Sequence, residues 1–338
     1  MSLASLAGLL FTLGSILVSV GFAAHIGHAV LLANGRRLVL AASAARSTAA
    51  AAAASVGLAA AGGSRDPGAG RMPAYAGVAS GSFVAAQRAA IGVVPESAAP
   101  SPLSGAALLI TLAGWVALAG AVLVRAYLVG RGPWGNLYEF SVAFAFSIIG
   151  GYLVLGRRYP IRSIGFIPVG VGLAMLLYAS SLPSDIAPLV PALQNAPLLT
   201  IHVGMAVISY GIFATSFAAG IGYLVQGRQD RFSWLPSHTT LDQVAYRAVV
   251  IGFPIFATMI ILGSWWASIA WSRYWGWDPK ETAALVTWLI YAIYLHARNQ
   301  RGWAGRPAAL LLVVGFLMVL VTYSGSLWFS GLHAYSGL

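Results

Sequence analysis

Long apolar stretches recur along this chain and determine the kind of fold that it can adopt. An α-helix needs about 20 apolar residues to cross a bilayer. Eight stretches reach roughly that length, at approximately 4–33, 105–129, 136–156, 163–182, 198–226, 243–268, 281–297 and 307–329. Of the 338 residues, 59% are hydrophobic and 8% are charged, against roughly 25% charged residues in an ordinary soluble domain. The sequence therefore excludes a soluble globule and predicts an all-α integral membrane protein with about eight transmembrane helices.

The net charge of +11 is best interpreted as membrane topology. The basic residues lie almost singly between the apolar stretches, not as a stripe on one face, which argues against nucleic-acid binding. Fifteen of the 19 basic residues fall in or beside one set of alternating segments: 34–104, 157–162, 227–242 and 298–306. The other set contains Arg125, Arg131, Arg273 and Lys280. The positive-inside rule then predicts that both termini are extracytoplasmic.

The region after the first span has a different composition. Residues 41–104 are rich in Ala, Gly, Ser and Pro and contain too few large side chains to build a core. We predict a first transmembrane helix in residues 1–40, a low-complexity cytoplasmic linker in 41–104 and a seven-helix membrane domain in 105–338. Because no Lys or Arg precedes Arg36, the first span lacks the basic start of a signal peptide and is predicted to be retained.

The absence of cysteine limits the chemistry. It excludes a disulfide framework, a thiolate metal site, a Cys nucleophile and an iron–sulfur cluster bound by this chain. The six histidines are therefore the candidate metal ligands of this chain. The sequence contains no Walker loop, GxSxG, HExxH or GxGxxG motif, so nucleotide-driven transport and hydrolase chemistry have no support.

An aromatic segment lies between the sixth and seventh spans. Residues 265–281 read WWASIAWSRYWGWDPKE, with five Trp residues within the first 13 positions. An aromatic belt is common at membrane interfaces, but this concentration in one loop favours a flat surface for a large planar ligand, whose carboxylates would pair with a nearby cation such as Arg273 or Lys280. The candidate ligand-binding residues are Trp265, Trp266, Trp271, Arg273, Tyr274, Trp275, Trp277 and Asp278.

Two acidic residues close this segment, and their spacing favours a structural role. Asp278 is predicted to be an N-cap, Pro279 the first helical residue and Glu281 the residue three positions after the cap. This pattern is a capping box with a proline start. We therefore predict helix capping, not acid–base catalysis, for this pair.

Two histidines are predicted to lie at the level of this aromatic loop. His202 falls about one turn into the fifth span, and His333 follows the eighth span in the sequence SGLHAY. Two neutral imidazoles from different elements are a natural axial pair for haem iron and leave no open coordination position. For either histidine alone, a hydrogen-bonded residue at a helix end is the commoner explanation, so the haem hypothesis depends on the pair together with the aromatic loop.

Other histidines are predicted near the opposite membrane surface. His296 lies 18 residues beyond Asp278, or roughly 27 Å at the helical rise. An ionisable residue inside the membrane is a functional candidate by default, and Arg298 beside it is suited to an anionic group or to the basic inner flank. His25 and His28, at i and i+3 near the inner end of the first span, are candidates for a further inner ligand or for side chains that reach the interface.

At this point the sequence shows a resemblance to a known family. WASIAWSRYWGWDPKET resembles the WWD signature of membrane haem-handling proteins, in particular the CcsA/ResC family of cytochrome c biogenesis proteins. Further segments resemble this family in the same order: the 132–139 region with its Asn-Leu-Tyr-Glu, HVGMAVISYGIF at His202, LDQVAYRAVVIGFP at 241–254, TWLIYAIYLHAR ending at Arg298, RGWAGR at 301–306, and SGLHAY around His333. The resemblance extends from about residue 105 onward.

This resemblance implies a subunit of the membrane cytochrome c synthase, a haem lyase that works only with a ResB-type partner. It implies that His202 and His333 are axial ligands of an external haem b, and that His296 is a ligand of haem entering from inside, with a second inner ligand from the partner. Haem would be carried as a substrate and presented to the CxxCH motifs of apocytochrome c, with thiol-reducing proteins involved indirectly. The implied location is a bacterial plasma membrane, with the Trp-rich loop extracytoplasmic.

Alternatives stay open. A b-type cytochrome subunit for electron transfer usually has repeated histidine pairs on neighbouring helices, whereas this chain has one histidine per span apart from His25 and His28. A transporter with an aromatic mouth would purify free of haem. A CcmC-type haem chaperone belongs to the same class, although eight spans and the SGLHAY ending fit the CcsA pattern better.

The chain also departs from the commoner family pattern. Ser268-Ile269 stands where Asn-Glu is more usual, Ala283 where Trp is frequent, and Ser326 where Asn is frequent. These differences leave the histidines intact and alter polar contacts at the edge of the aromatic surface.

Overall fold

The computed structural model describes most of the chain. The described residues are 2–61, 101–186, 188–189, 191–194, 196–298, 300 and 303–334. They belong to two compact units, one formed by Met1–Ala29 with Ser101–Leu338 and the other by Val30–Pro100. Residues 62–100 of the predicted linker, Arg301 and the side chain of Ser326 lie outside what the structure describes.

Every regular element in the described part of the chain is helical, as predicted. The long helices are α1 (Leu3–Ala61), α2 (Pro102–Val129), α3 (Leu137–Gly156), α4 (Phe166–Ser180), α5 (Ala196–Gln226), α6 (His238–Trp271), α7 (Pro279–Arg298) and α8 (Arg306–Trp328). Short 3₁₀ helices occur at Arg162–Ile164 and Pro191–Leu193. Helix α1 continues beyond the predicted end of the first span at residue 40 and includes the Ala-rich run at 49–54.

Seven helical segments are long and apolar enough to cross a membrane. They are Leu3–Gly35, Pro102–Val129, Leu137–Gly156, Arg162–Ser180, Pro197–Gln226, His238–Trp271 and Arg306–Gly325. Helix α7 has the 20-residue length of a span, but Lys280, Glu281, His296 and Arg298 make it less apolar than the others. The number of eight crossings and the orientation of the termini stay predictions.

Side-chain caps fix where several helices begin. The Asn136 side chain accepts a hydrogen bond from the Glu139 backbone at the start of α3, and the Ser237 hydroxyl accepts one from the Thr240 backbone at the start of α6. An N-cap of this type satisfies one of the backbone N–H groups that have no partner within the helix. The caps therefore set the register with which each helix enters the bundle.

Helix α5 is central in the larger unit. It packs against α6 most extensively and also against α3 and α8, while α7 packs mainly on α8. Large buried aromatic side chains fill the space between these helices, and the rings of Phe213 and Tyr291 stack with their centroids 3.8 Å apart. At one end of this bundle α3, α5 and α7 begin and α6 and α8 end.

Helix α6 ends later than the sequence predicts. The predicted span stops near residue 268, whereas the helix continues to Trp271 and ends at Ser272, whose φ of 55° is left-handed. Three of the predicted loop tryptophans, Trp265, Trp266 and Trp271, therefore lie on the helix. Since residues on a helix project in different directions, they do not form one flat surface with the loop residues that follow.

Candidate ligand-binding cavity

A large cavity lies at the end of the bundle where α3, α5 and α7 begin. Its empty space, part of which is open to the outside, is about 1110 Å³. Its walls are mainly apolar and aromatic. Residues that line the cavity include Trp134, His202, Tyr210, Met259, Gly263, Trp266, Trp271, Trp275, Lys280, Tyr323 and His333.

His202 lines this cavity from the second turn of α5. Its ring Nδ1 lies 2.8 Å from the backbone carbonyl oxygen of Met259 on α6. A carbonyl only accepts hydrogen bonds, so Nδ1 carries the proton and Nε2 has the lone pair. The approach is close because Gly263 has no side chain, and a Cβ there would lie 2.6 Å from the ring Cε1 of His202.

His333 lines the same cavity from the segment that follows α8. Its ring Nδ1 lies 2.8 Å from the carboxylate Oδ2 of Asp278, so Nε2 is again the nitrogen with the lone pair when the ring is neutral. The Trp271 ring meets the His333 imidazole edge-on, with centroids 4.9 Å apart. The two imidazoles thus have the same tautomer, imposed by different acceptors.

One tryptophan is next to both histidines. The Trp266 ring is almost parallel to the His202 imidazole, with the centroids 6.2 Å apart, and its centroid lies 5.8 Å from that of His333. Trp266 is buried and 2% exposed. The structure therefore brings together, around a single indole, two histidines that are 131 positions apart in the sequence.

Asp278 connects the start of α7 to the segment that carries His333. Its carboxylate accepts hydrogen bonds from His333 Nδ1 and from the backbone N–H groups of Leu332 and Lys280. Burial alone raises the pKa of the Asp278 carboxyl, but these hydrogen bonds and the adjacent His333 outweigh it and lower the pKa below its usual value. Gly331 has no side chain at the point of closest approach, and a Cβ there would collide with Asp278 Oδ1.

The predicted capping box at the start of α7 is present. The Asp278 carboxylate accepts from the Lys280 backbone at 3.1 Å, and the Glu281 carboxylate accepts from the backbone N–H groups of Gly276 and Asp278. Glu281 therefore closes the loop onto the helix. The role of Asp278 in orienting His333 goes beyond capping, and local sequence gave no signal for it.

The predicted aromatic residues separate into two groups. Trp266, Trp271 and Trp275 line a concave, partly open cavity, in contrast to the flat surface that the sequence suggested. The second group is exposed: Trp265, Tyr274 and Trp277 are 55%, 67% and 69% exposed, and Arg273 is exposed with them. Of the two cations considered for ligand carboxylates, Lys280 lines the cavity and Arg273 does not.

A buried ion-pair network supports the neighbouring wall. The carboxylate of Glu139 accepts hydrogen bonds from Arg125 Nε at 2.9 Å, from Arg131 Nη1 at 3.0 Å and from the Gly135 backbone at 2.8 Å. Glu139 ends the 132–139 segment, at the start of the third predicted span, where the sequence suggests a residue that caps the helix or orients a neighbour. Trp134, in the same segment, and Tyr210 and Tyr323, within predicted spans, also line the cavity; periodicity alone does not distinguish them from core residues.

The remaining candidate histidines lie elsewhere. His296, near the end of α7, is exposed, and its neighbour Arg298 pairs with Asp242 at 2.7 Å. His25 and His28 are 1% and 7% exposed. The His25 ring lies against the Tyr152 ring with centroids 5.5 Å apart, and the Ser101 hydroxyl is 3.2 Å from His28 Nδ1, so both rings are covered by other helices of the unit.

Comparison with known proteins places this chain in a family. Residues 134–333 match the model of the family described as Cytochrome C assembly protein. The chain is 33% identical over 261 residues to the cytochrome c biogenesis protein CcsA of Synechococcus sp. (strain CC9902), covering 68% of this chain and 85% of the relative. It is 33% identical over 285 residues to CcsA of Porphyra purpurea, covering 70% and 89%, and 35% identical over 236 residues to CcsA of Guillardia theta, covering 62% and 78%. The matched range contains both histidines of the cavity and Glu139, and the chain therefore belongs to the cytochrome c assembly protein family.

Proposed function

We propose that this chain is the haem-handling subunit of a membrane cytochrome c synthase. In this role it binds haem b as a substrate at the extracytoplasmic end of the bundle and presents it to apocytochrome c. The observation that carries the proposal is the pair of imidazoles in one aromatic cavity, each with its Nδ1 proton bound by a protein acceptor. Metal-ligating histidines are oriented in this way by their outer partners.

The donor set fits a large planar iron complex. Imidazole nitrogen is a ligand that haem iron accepts, and two such ligands leave no open coordination position. The tryptophans around the histidines supply apolar stacking area. Lys280 in the wall is suited to a propionate carboxylate.

The chain supplies positioning in this proposal, and the substrates supply the reactivity. The thiols of a CxxCH motif add to the haem vinyl groups and form thioether bonds. The cavity aligns the vinyl groups for this addition and limits side reactions of the haem. The histidine of the same motif then displaces one axial ligand and releases the product. The synthase would include a ResB-type membrane protein as partner of this chain.

A second element of the proposal concerns His296. Its exposed position near the end of α7 makes it accessible to haem or to a partner chain. It lies 18 residues along the helix from Asp278, roughly 27 Å at the helical rise. We assign it as a ligand for haem arriving from the cytoplasmic side, with the second ligand from the partner. His25 and His28 are less suited to that ligation because both rings are buried within this chain.

Single replacements of the cavity histidines test the function. His202→Ala and His333→Ala, expressed with a ResB-type partner in cells that lack their own synthase, are expected to abolish haem retention and covalent cytochrome c formation. His238→Ala is the matched control, since His238 pairs with Asp230 at the other end of α5 and α6. Maturation at the control level in both cavity variants would contradict the proposal. Transfer of bound haem to added apocytochrome distinguishes this function from that of a b-type cytochrome, which retains its haem.

A further inference from the structure

Glu139 is a buried carboxylate that the proposed function does not use. It is 2% exposed, at the start of α3. Two guanidinium groups, from Arg125 and Arg131, and the backbone N–H of Gly135 donate to its oxygens at 2.8–3.0 Å. A buried charge paired with this many donors is strongly held, and removing it would leave two neighbouring cations without their counterion.

The hydrogen bonds to Glu139 hold the loop between α2 and α3 in place. Arg131 also donates to the carbonyl of Gly132 at 2.9 Å, and the side chain of Asn136 accepts from the Glu139 backbone at 2.8 Å. Residues 131–136 are thus connected to Glu139 at both ends. The middle of the loop carries Trp134, which lines the cavity.

The loop packs against the part of α5 that carries His202. The backbone N–H of Gly132 donates to the Thr200 hydroxyl at 3.0 Å. The Trp134 ring lies 3.5 Å from the position that a Cβ on Gly204 would take. Thr200 and Gly204 are one turn apart and share a face, and His202 projects from the opposite side of the helix. The loop therefore packs on one side of α5, while on the other side the His202 ring contacts Met259 on α6.

We propose that Glu139 is a positioning residue for His202. Its carboxylate fixes the loop, the loop fixes the first two turns of α5, and those turns aim the His202 ring into the cavity. The inference rests on the proposed function for the statement that His202 binds iron. The mechanical part, from Glu139 to the α5 turn, holds with or without haem.

Two variants and one control separate this role from general stability. Glu139→Ala removes the centre of the network. Thr200→Val is nearly isosteric and removes only the bond from Gly132 N, so it leaves the ion pairs in place. Asp230→Asn is the control, because it removes a carboxylate paired with His238 at the far end of α5.

Amide hydrogen exchange of the haem-free protein in detergent gives the first measurement. We expect both variants to exchange at least tenfold faster than wild type in 130–136 and 197–204, and to match wild type elsewhere. Haem titration, followed by the Soret band, gives the second. We expect affinity to fall by up to about 10–100-fold, the loss seen when the groups that orient a metal ligand are disturbed, and the reduced complex to bind carbon monoxide because His202 no longer occupies its position.

The outcomes distinguish the two proposals. If wild type binds no haem, the proposed function fails, while the exchange data still test the mechanical inference. If Glu139→Ala loosens 130–136 but leaves 197–204 and haem affinity at wild-type values, the inference is wrong. If Glu139→Ala unfolds the whole chain, Thr200→Val provides the test. Wild-type hydrogen exchange at 197–204 together with wild-type haem affinity in Thr200→Val would also contradict the inference.

Discussion

Replacing Asp278 by serine separates its two roles. Serine is as good an N-cap as aspartate, so the start of α7 is preserved. A serine hydroxyl is too short to reach both His333 Nδ1 and the Leu332 backbone, which the carboxylate binds together. The variant therefore removes the anchor of the segment that carries His333 and leaves the helix cap.

The expected magnitude follows from the bonds that are lost. A hydrogen bond to a charged group contributes about 1.5–3 kcal/mol, and loss of the outer partner of a metal-ligating histidine lowers metal affinity about 10–100-fold. We expect Asp278→Ser to weaken haem binding within that range, since His333 remains present but is no longer oriented and can adopt either tautomer. Asp278→Asn, which retains an acceptor oxygen without the charge, is expected to show a smaller loss.

Haem titration of the purified protein in detergent measures this effect. Thermal unfolding of the haem-free variant is recorded alongside, because an intact cap predicts a small change in melting temperature. His333→Ala, measured in parallel, is expected to abolish haem binding. If Asp278→Ser then binds haem with an affinity within twofold of wild type, Asp278 is not the partner that orients His333.

Three further predictions test individual contacts. Gly263→Ala is expected to weaken haem binding, because its Cβ would lie 2.6 Å from the His202 ring, whereas Gly105→Ala, with nothing within 4 Å, is expected to match wild type in the same titration. Gly331→Ala is expected to reproduce Asp278→Ser, because its Cβ collides with the carboxylate, and equal haem affinity to wild type would count against the anchor. Asp242→Asn removes the partly exposed ion pair with Arg298; chemical denaturation should show a loss of about 1 kcal/mol, with unchanged affinity at the cavity.

Sequence periodicity and caps predicted much of the architecture. The helical spans follow from runs of apolar side chains, and the start of α7 follows from the Asp-Pro-Lys-Glu pattern, which the structure contains as a capping box. The end of α6 was placed too early because the polar and aromatic residues near 268–271 resemble an interface. In the structure they continue the helix to Trp271.

Long-range pairing could not be predicted in the same way. The acceptor of the His333 proton is 55 positions away at Asp278, and that of His202 is 57 positions away at Met259. A backbone carbonyl leaves no trace in side-chain patterns, and a capping aspartate has the same local pattern whether or not a distant imidazole binds it. The form of the cavity likewise depends on how the helices and the loop before α3 pack, which brings Trp134, Tyr210 and Trp266 into its lining.

Electron paramagnetic resonance of the ferric haem complex tests the central claim most directly. Coordination by His202 and His333 together predicts a low-spin, six-coordinate spectrum for wild type. His202→Ala and His333→Ala are expected to give no such low-spin signal unless imidazole is supplied to restore haem binding. A wild-type low-spin spectrum in both single variants would show that the iron is held by other residues, and would contradict the account.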